Sequence, residues 1–164
     1  MPRFVVATAL VALTSAAGTP VVAGEIAPPM LNAQYVALGY ELGNGVLSAS
    51  DAITANDTVT PEDRQVMEDV RRQVEAWDRF VIVDRVDHAD LVIAVRAGRR
   101  GTLAIGVSSR SAGATLSSPD DILSVYEAQG SEIPLWRRHA PEGLSAELPL
   151  LQAFRDELEA ASPN

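Results

Sequence analysis

The densest group of ionisable side chains in this sequence lies in the segment 84–90, which contains three carboxylates and one imidazole. These are ligand types that divalent metal ions take, and neighbouring carboxylates can also perform acid–base chemistry in a small hydrolase. The spacing, however, lacks the glycine-bearing loop of an EF-hand and the helical histidine pair of a zinc protease. Acidic residues are also common in turns, where they accept hydrogen bonds from backbone amides. A metal or hydrolase site here would depend on Asp84, Asp87, His88 and Asp90, and the favoured interpretation is a structural turn.

A second candidate site is the basic segment formed by Arg137, Arg138 and His139. Two guanidinium groups followed by an imidazole can bind an anion or an acidic partner at the end of a strand. Alternation along a strand predicts Arg137 and His139 on one face, with Trp136 and Arg138 on the other. A solvated edge strand with Trp136 packed under the helices explains the same residues without a ligand, and it is the favoured interpretation.

Other catalytic patterns are missing from the sequence. It contains no cysteine and no lysine, which excludes a thiol nucleophile, a thiolate metal site and a disulfide framework. The segment Gly106–Arg110 fails the nucleophile-elbow pattern because arginine stands where glycine is needed. An enzyme would have to use carboxylate pairs such as Asp87 with Asp90 or Asp120 with Asp121, which are common in polar turns. We therefore favour a non-enzymatic protein and expect no cofactor.

Length, composition and charge favour one exported domain. The 164 residues, 47% of them hydrophobic, are enough for a single domain with a proper core. The net charge of −9 argues against a nucleic-acid partner, which would need a basic surface. Residues 1–24 have the pattern of a signal peptide: Arg3 precedes an apolar stretch that ends in small residues. Cleavage is expected after Ala23 or Gly24, or earlier after Ala17, and no later segment is apolar enough to span a membrane.

The remaining chain predicts a linker over 25–33, a single domain over 34–161 and a tail over 162–164. Thr60 is a predicted helix N-cap, with Pro61 in the first turn and Asp63 in the place of the capping-box acid. The apolar stripe of this helix ends at Trp77, a predicted packing anchor. A second helix is predicted over 149–161. The predicted strands are 35–40, 80–83, 91–95, 103–107, 122–127 and 134–138, with long connections over 41–59 and 108–121.

This order of elements predicts an α/β (α+β) two-layer sandwich, with a mixed sheet of about five or six strands and both helices on one face. The strands at 80–83, 91–95 and 103–107 are apolar with little alternation, which favours the middle of the sheet. The strand at 35–40 is expected to run parallel to the strand at 91–95, because a helix connects the first strand to the later ones.

Several short motifs resemble exported bacterial proteins of unknown function. The motifs are Trp77-x-x-Phe80, Ala89-Asp90-Leu91-Val92-Ile93, Gly101-Thr102-Leu103, Val125-Tyr126-Glu127 and Leu135-Trp136-Arg137. The resemblance covers roughly residues 35–160. It implies an envelope-associated domain, similar in layout to the anticodon-binding-like domains of periplasmic and outer-membrane accessory proteins. Many such proteins are lipoproteins, and this chain lacks the cysteine that carries the lipid. The resemblance implies no catalytic residues.

The sequence thus favours an exported, periplasmic or extracellular domain that binds an envelope protein partner or assembles in the cell envelope. The candidate contact surfaces are the connections 41–59 and 108–121 and the basic segment 137–139. The alternative is a small carboxylate-based hydrolase or metal-binding protein that uses the turn 84–90.

Overall fold

The computed structural model describes residues 26–42, 45–51, 59–98, 119–130 and 132–162. Within these ranges a 3-10 turn, Val86–His88, accompanies three helices and six strands. Their bounds are α1 Pro28–Asn32, β1 Tyr35–Leu42, β2 Gly45–Ser48, α2 Pro61–Trp77, β3 Val81–Ile82, β4 Leu91–Arg96, β5 Asp121–Glu127, β6 Trp136–Ala140 and α3 Pro149–Ala161. The predicted α/β class is confirmed.

The strands form one mixed sheet with the order β2-β1-β4-β5-β6, and the short β3 pairs with the beginning of β1. β1 and β4 are parallel, with Val36 opposite Leu91 and Tyr40 opposite Val95. The ladders of β2 with β1, β4 with β5 and β5 with β6 are antiparallel. The parallel neighbour predicted for the first strand is therefore confirmed, and α2 supplies the connection that a parallel pair requires.

The first long helix begins with the predicted capping box. The Thr60 hydroxyl accepts the Asp63 backbone N–H at 3.1 Å, and the Asp63 carboxylate accepts the Thr60 backbone N–H at 3.0 Å. These bonds satisfy backbone donors that the first helical turn leaves without an intrahelical partner. The helix ends at Trp77, because Asp78 adopts the left-handed conformation at φ 55°.

The hydrophobic core lies between α2, α3 and one face of the sheet. Alternate residues of the strands point into it, including Leu38, Ile93 and Leu123, while Phe154 of α3 is fully buried. Trp77 lies edge-on to the rings of Phe80 and Phe154, at centroid distances of 5.2 and 6.0 Å. Such edge-to-face pairs add to the free energy of area burial, so the predicted anchor role of Trp77 is confirmed.

Three predicted segments differ from the structure. The segment 80–83 forms only the two-residue β3 beside the start of β1, where Val81 is 58% exposed, so its predicted place in the middle of the sheet is wrong. Residues 28–32 of the predicted linker form the short helix α1, which has proline in its first turn and buries Met30 in the core. The predicted connection 41–59 contains the end of β1 and all of β2. By contrast, the central position of the strand at 91–95 is confirmed.

Other predictions lie outside the described residues. These are the signal peptide over 1–24, the strand at 103–107, the Gly106–Arg110 segment and most of the connection 108–121. The last two predicted strands are present as β5 and β6, although β6 begins two residues later than predicted. Among the residues that the structure describes, no helix is long and apolar enough to cross a membrane.

Candidate functional site

In the predicted acidic turn, two of the carboxylates have structural partners. Arg85 donates to Asp87 at 2.6 and 2.9 Å, and this hydrogen-bonded pair lowers the pKa of Asp87 to about 2. Asp90 accepts the backbone N–H groups of Gln34 and Tyr35, each at 2.9 Å. Those two bonds lower the pKa of Asp90 below its ordinary value of 3.8. Asp90 therefore holds the beginning of β1 against the beginning of β4.

The turn does not gather its acidic and imidazole groups around one point. Within the described ranges, which include all of 84–90, no three histidine or carboxylate side chains are arranged to hold a metal ion. Asp84, Asp87, His88 and Asp90 therefore gain no geometric support as a metal site. The two carboxylates of each candidate catalytic pair also have different partners. Asp87 and Asp90 are bound as described above, Asp120 lies 3.0 Å from the His139 ring, and Asp121 accepts two backbone N–H groups.

The basic segment lies on β6 with the alternation that the sequence predicts. Trp136 and Arg138 face the helices, where Arg138 lies 2.6 Å from Glu157 of α3. Arg137 and His139 lie on the opposite face, and each has a carboxylate partner, Glu41 and Asp120 respectively. The two guanidinium groups and the imidazole thus have three different partners and do not form one anion-binding edge.

A row of small residues crosses the face of the sheet that is turned away from α2 and α3. The register places Gly39 opposite Ala94, Ala94 opposite Ser124, and Ser124 opposite Arg137. Strands lie about 4.8 Å apart, so β6 and β1 are separated by roughly 14 Å. Because the intervening side chains are small, Arg137 can extend over β5 and β4 towards Glu41 on β1.

Glu41 is the centre of a buried polar network on this face. Its Oε1 atom accepts from Nη2 of Arg137 at 2.6 Å, and its Oε2 atom accepts from the Ser124 hydroxyl at 2.6 Å. The Tyr126 hydroxyl approaches the same Oε2 atom at 3.4 Å. The Glu41 side chain is 4% exposed and that of Arg137 is 44% exposed. The network therefore satisfies a buried carboxylate and brings a partly exposed guanidinium to the surface of the sheet.

The electrostatics of the network favour a protonated tyrosine. Burial, and after it the negative charge of Glu41, raises the pKa of Tyr126 above 10.0. The phenol consequently remains a hydrogen-bond donor at neutral pH. Throughout the described residues, no buried side-chain nitrogen or oxygen lacks a hydrogen-bond partner.

A cavity of about 480 Å³ opens beside this network, and we call it the Glu41 cavity. Its ionisable lining residues are Glu41, Tyr126, Glu127, Glu132 and Arg137. Its apolar lining residues are Val46, Val86, Val92, Ala128 and Pro134. The volume lies within the range of roughly 300–1,000 Å³ that is typical of small-molecule sites, and the wall combines charged and apolar groups in similar proportion.

Gly39 contributes to the shape of this cavity. A Cβ atom at this position would lie 2.8 Å from Cγ1 of Val46 and 3.0 Å from the Leu47 carbonyl oxygen. Because Gly39 has no side chain, the side chain of Val46 can pack directly against the backbone of β1. This close packing of β2 against β1 fixes one wall of the Glu41 cavity.

Sequence reasoning identified one charged member of the network and missed the other. The sequence indicates Arg137 as a candidate, whereas the strand predicted to end at Tyr40 leaves Glu41 in the following connection. The available signal was alternation: Ala37, Gly39 and Glu41 share a face, and a carboxylate at the end of an apolar strand needs a partner if it is buried. That the partner is Arg137 depends on the pairing of strands far apart in the sequence.

Comparison of the chain with models of protein families, with curated proteins and with solved structures finds no match.

Proposed function

We propose that this chain is an exported, non-enzymatic domain of the cell envelope that binds a partner through the Glu41 cavity. Export is inferred from the signal-peptide pattern of residues 1–24. The envelope location is inferred from the resemblance to exported bacterial proteins. The binding role is inferred from the cavity and its charged network.

The observation that carries the binding role is the buried Glu41 carboxylate. Burying an ion pair has a desolvation cost, so such a pair is weak evidence of a purely stabilising role. The main hydrophobic core lies on the other face of the sheet, against α2 and α3, and the buried cluster that the described residues form on the face of the network contains only Ala37, Ala89 and Val92. We interpret the network as a device that fixes the guanidinium of Arg137 beside the cavity, where it can contact a bound molecule.

Binding fits these residues better than catalysis. Ser124 would be the nucleophile of a serine-based mechanism, but it is 0% exposed and does not line the cavity. A nucleophile must reach the substrate, so this serine is not suited to attack. Asp87 and Asp90, the carboxylates of the alternative hydrolase hypothesis, are engaged with Arg85 and with backbone amides.

A blocking experiment tests the proposal. The chain has no cysteine, so Val46→Cys supplies a single thiol at the wall of the Glu41 cavity, where Val46 is 37% exposed. Ala76→Cys supplies a matched thiol on the exposed side of α2. Each protein is coupled to a bulky maleimide and used, beside the wild type, for affinity capture from envelope fractions. Bound proteins and small molecules are identified by mass spectrometry.

We expect the wild type and the blocked Ala76→Cys protein to retain the same species, and the blocked Val46→Cys protein to lose it. Equal retention by all three proteins would show that binding does not use the cavity. Retention of nothing by the wild type would contradict a binding role in the envelope.

A further inference from the structure

Resting on the proposed function, we infer that the ligand of the Glu41 cavity is a small zwitterion, an amino acid or short peptide with both ends free. Its carboxylate would pair with Arg137 and its ammonium group with Glu127 or Glu132. The apolar body of the ligand would contact the valine side chains of the cavity wall.

Arg137 provides the contact for the carboxylate. Among the described residues, Nη2 is the only guanidinium nitrogen of Arg137 that donates to a protein acceptor. Glu41 accepts that bond, and its two oxygens are already shared among Arg137, Ser124 and Tyr126. The remaining N–H groups of the planar guanidinium are the kind that bind a carboxylate with two hydrogen bonds. Glu41 is therefore a positioning residue that orients Arg137.

Glu127 and Glu132 provide the contact for the ammonium group. Both line the Glu41 cavity and both are exposed. In the part of the chain that the structure describes, neither forms an ion pair. An ammonium group has three donors and no acceptor, so an unpaired carboxylate is its natural partner.

The balance of charges selects a ligand with both signs. The cavity lining contains three carboxylates, of Glu41, Glu127 and Glu132, and one guanidinium, of Arg137. An anionic ligand would pair with the guanidinium but would meet repulsion from the two outer carboxylates. A cationic ligand would leave the free N–H groups of Arg137 without an acceptor. A zwitterion supplies an acceptor for Arg137 and a donor for the outer carboxylates. Its two charges would therefore complement those of the cavity.

The apolar wall limits the body of the ligand. Val46, Val86 and Val92 line the Glu41 cavity, and Val46 and Val92 lie on the same face as Arg137. Branched aliphatic side chains favour an apolar substituent over a polar one. The volume of about 480 Å³ admits a ligand of the size of an amino acid or a short peptide.

Isothermal titration calorimetry of the exported protein tests this inference with four probes. Leucine and leucyl-leucine carry both charges. N-acetyl-leucyl-leucine keeps only the carboxylate, and leucyl-leucine amide keeps only the ammonium group. We expect at least one zwitterion to bind, and each capped dipeptide to bind at least about tenfold more weakly than leucyl-leucine, the loss typical of one charge-assisted hydrogen bond.

Variants identify the groups that make these contacts. Glu127→Gln and Glu132→Gln remove the exposed carboxylates one at a time, while Glu75→Gln makes the same change on the exposed side of α2 as a control. Arg137→Lys keeps a cation beside Glu41 but loses the planar fork. We expect Arg137→Lys to weaken zwitterion binding about tenfold, at least one cavity glutamate variant to do the same, and Glu75→Gln to have no effect. Circular dichroism confirms that each variant is folded.

Two results would overturn the inference. If a capped dipeptide binds as tightly as leucyl-leucine, the ligand class is wrong. If neither leucine nor leucyl-leucine binds, the zwitterion is excluded as the ligand. In both cases the proposed function stands or falls separately, by the capture experiment with blocked Val46→Cys.

Discussion

Replacing Arg137 with glutamine removes the cation from a carboxylate that is almost fully buried. Glu41 is 4% exposed at its side chain, and after the change only the Ser124 and Tyr126 hydroxyls remain to stabilise its charge. Loss of one partner from a buried ion pair typically costs about 3–5 kcal/mol. Because Arg137 itself is 44% exposed, we expect the lower end, about 3 kcal/mol of unfolding free energy.

The reverse change is expected to cost less. Glu41→Gln keeps a side chain of nearly the same shape whose oxygen can still accept from Ser124. The guanidinium that it leaves behind is partly exposed and can be hydrated, so the loss should be about 1 kcal/mol. The double variant should resemble Glu41→Gln, since Arg137→Gln is harmful only when a charge is present at position 41. The coupling energy is then about 3 kcal/mol.

Equilibrium unfolding in urea, followed by tryptophan fluorescence and circular dichroism, measures these differences. Arg85→Gln is the matched control, because Arg85 and Asp87 form a solvent-exposed pair whose loss leaves no buried charge and should cost much less than the loss of Arg137. Equal destabilisation by Arg137→Gln and Glu41→Gln would refute the argument from unequal burial. Additive losses in the double variant would refute the network itself.

Four further outcomes are expected. Phe154→Ala removes a fully buried ring from the aromatic cluster and should cost about 3–5 kcal/mol, measured by urea unfolding. Gly39→Ala introduces a Cβ atom 2.8 Å from a valine of β2 and should cost about 1–3 kcal/mol, checked by the same assay. Asp90→Asn should reduce the loss of unfolding free energy at acid pH. The ionised Asp90 carboxylate stabilises the folded protein above its unfolded pKa of 3.8, and this contribution is lost as the pH falls through the lower pKa of the folded state. The signal-peptide hypothesis predicts that the protein, expressed from its full sequence in bacteria, has an intact mass that lacks the residues up to 17, 23 or 24, and retention of the whole N-terminal segment would contradict it.

Local signals in the sequence are sufficient for the two long helices, α2 and α3, and for the parallel strands β1 and β4, but not for the short helix α1. The capping box of Thr60 and Asp63 depends on residues three apart, and the apolar stripe of α2 has a helical period, so both are visible without tertiary information. The parallel pairing of β1 with β4 follows from a helical crossover between two apolar runs. The position of an edge strand such as β3 is harder to predict, because a short apolar run has the same composition at the edge of a sheet as in its centre.

The candidate site was only partly predictable, since its members lie far apart in the chain. Arg137 and Glu41 are 96 positions apart and meet because of the register of four strands. Alternation gave the correct face for Arg137, but composition could not identify its partner. The concentration of carboxylates at 84–90 suggests a metal site, but in the structure Asp87 and Asp90 accept hydrogen bonds from Arg85 and from backbone N–H groups. A local concentration of carboxylates is therefore enough to predict a turn, whereas the Glu41 cavity can be recognised only once the pairing of distant strands is known.

Chemical-shift mapping of the isotope-labelled protein tests whether the Glu41 cavity is the binding site. The small-molecule fraction of an envelope extract, or leucyl-leucine, is added while backbone amide signals are followed. The competing location is the groove of about 330 Å³ on the helix side, lined in part by Trp77 and Arg155. We predict shifts at Val46, Val92 and Tyr126, with the amides of α2 and α3 unchanged. Shifts concentrated around Trp77 and Arg155, with the cavity signals unmoved, would contradict the assignment.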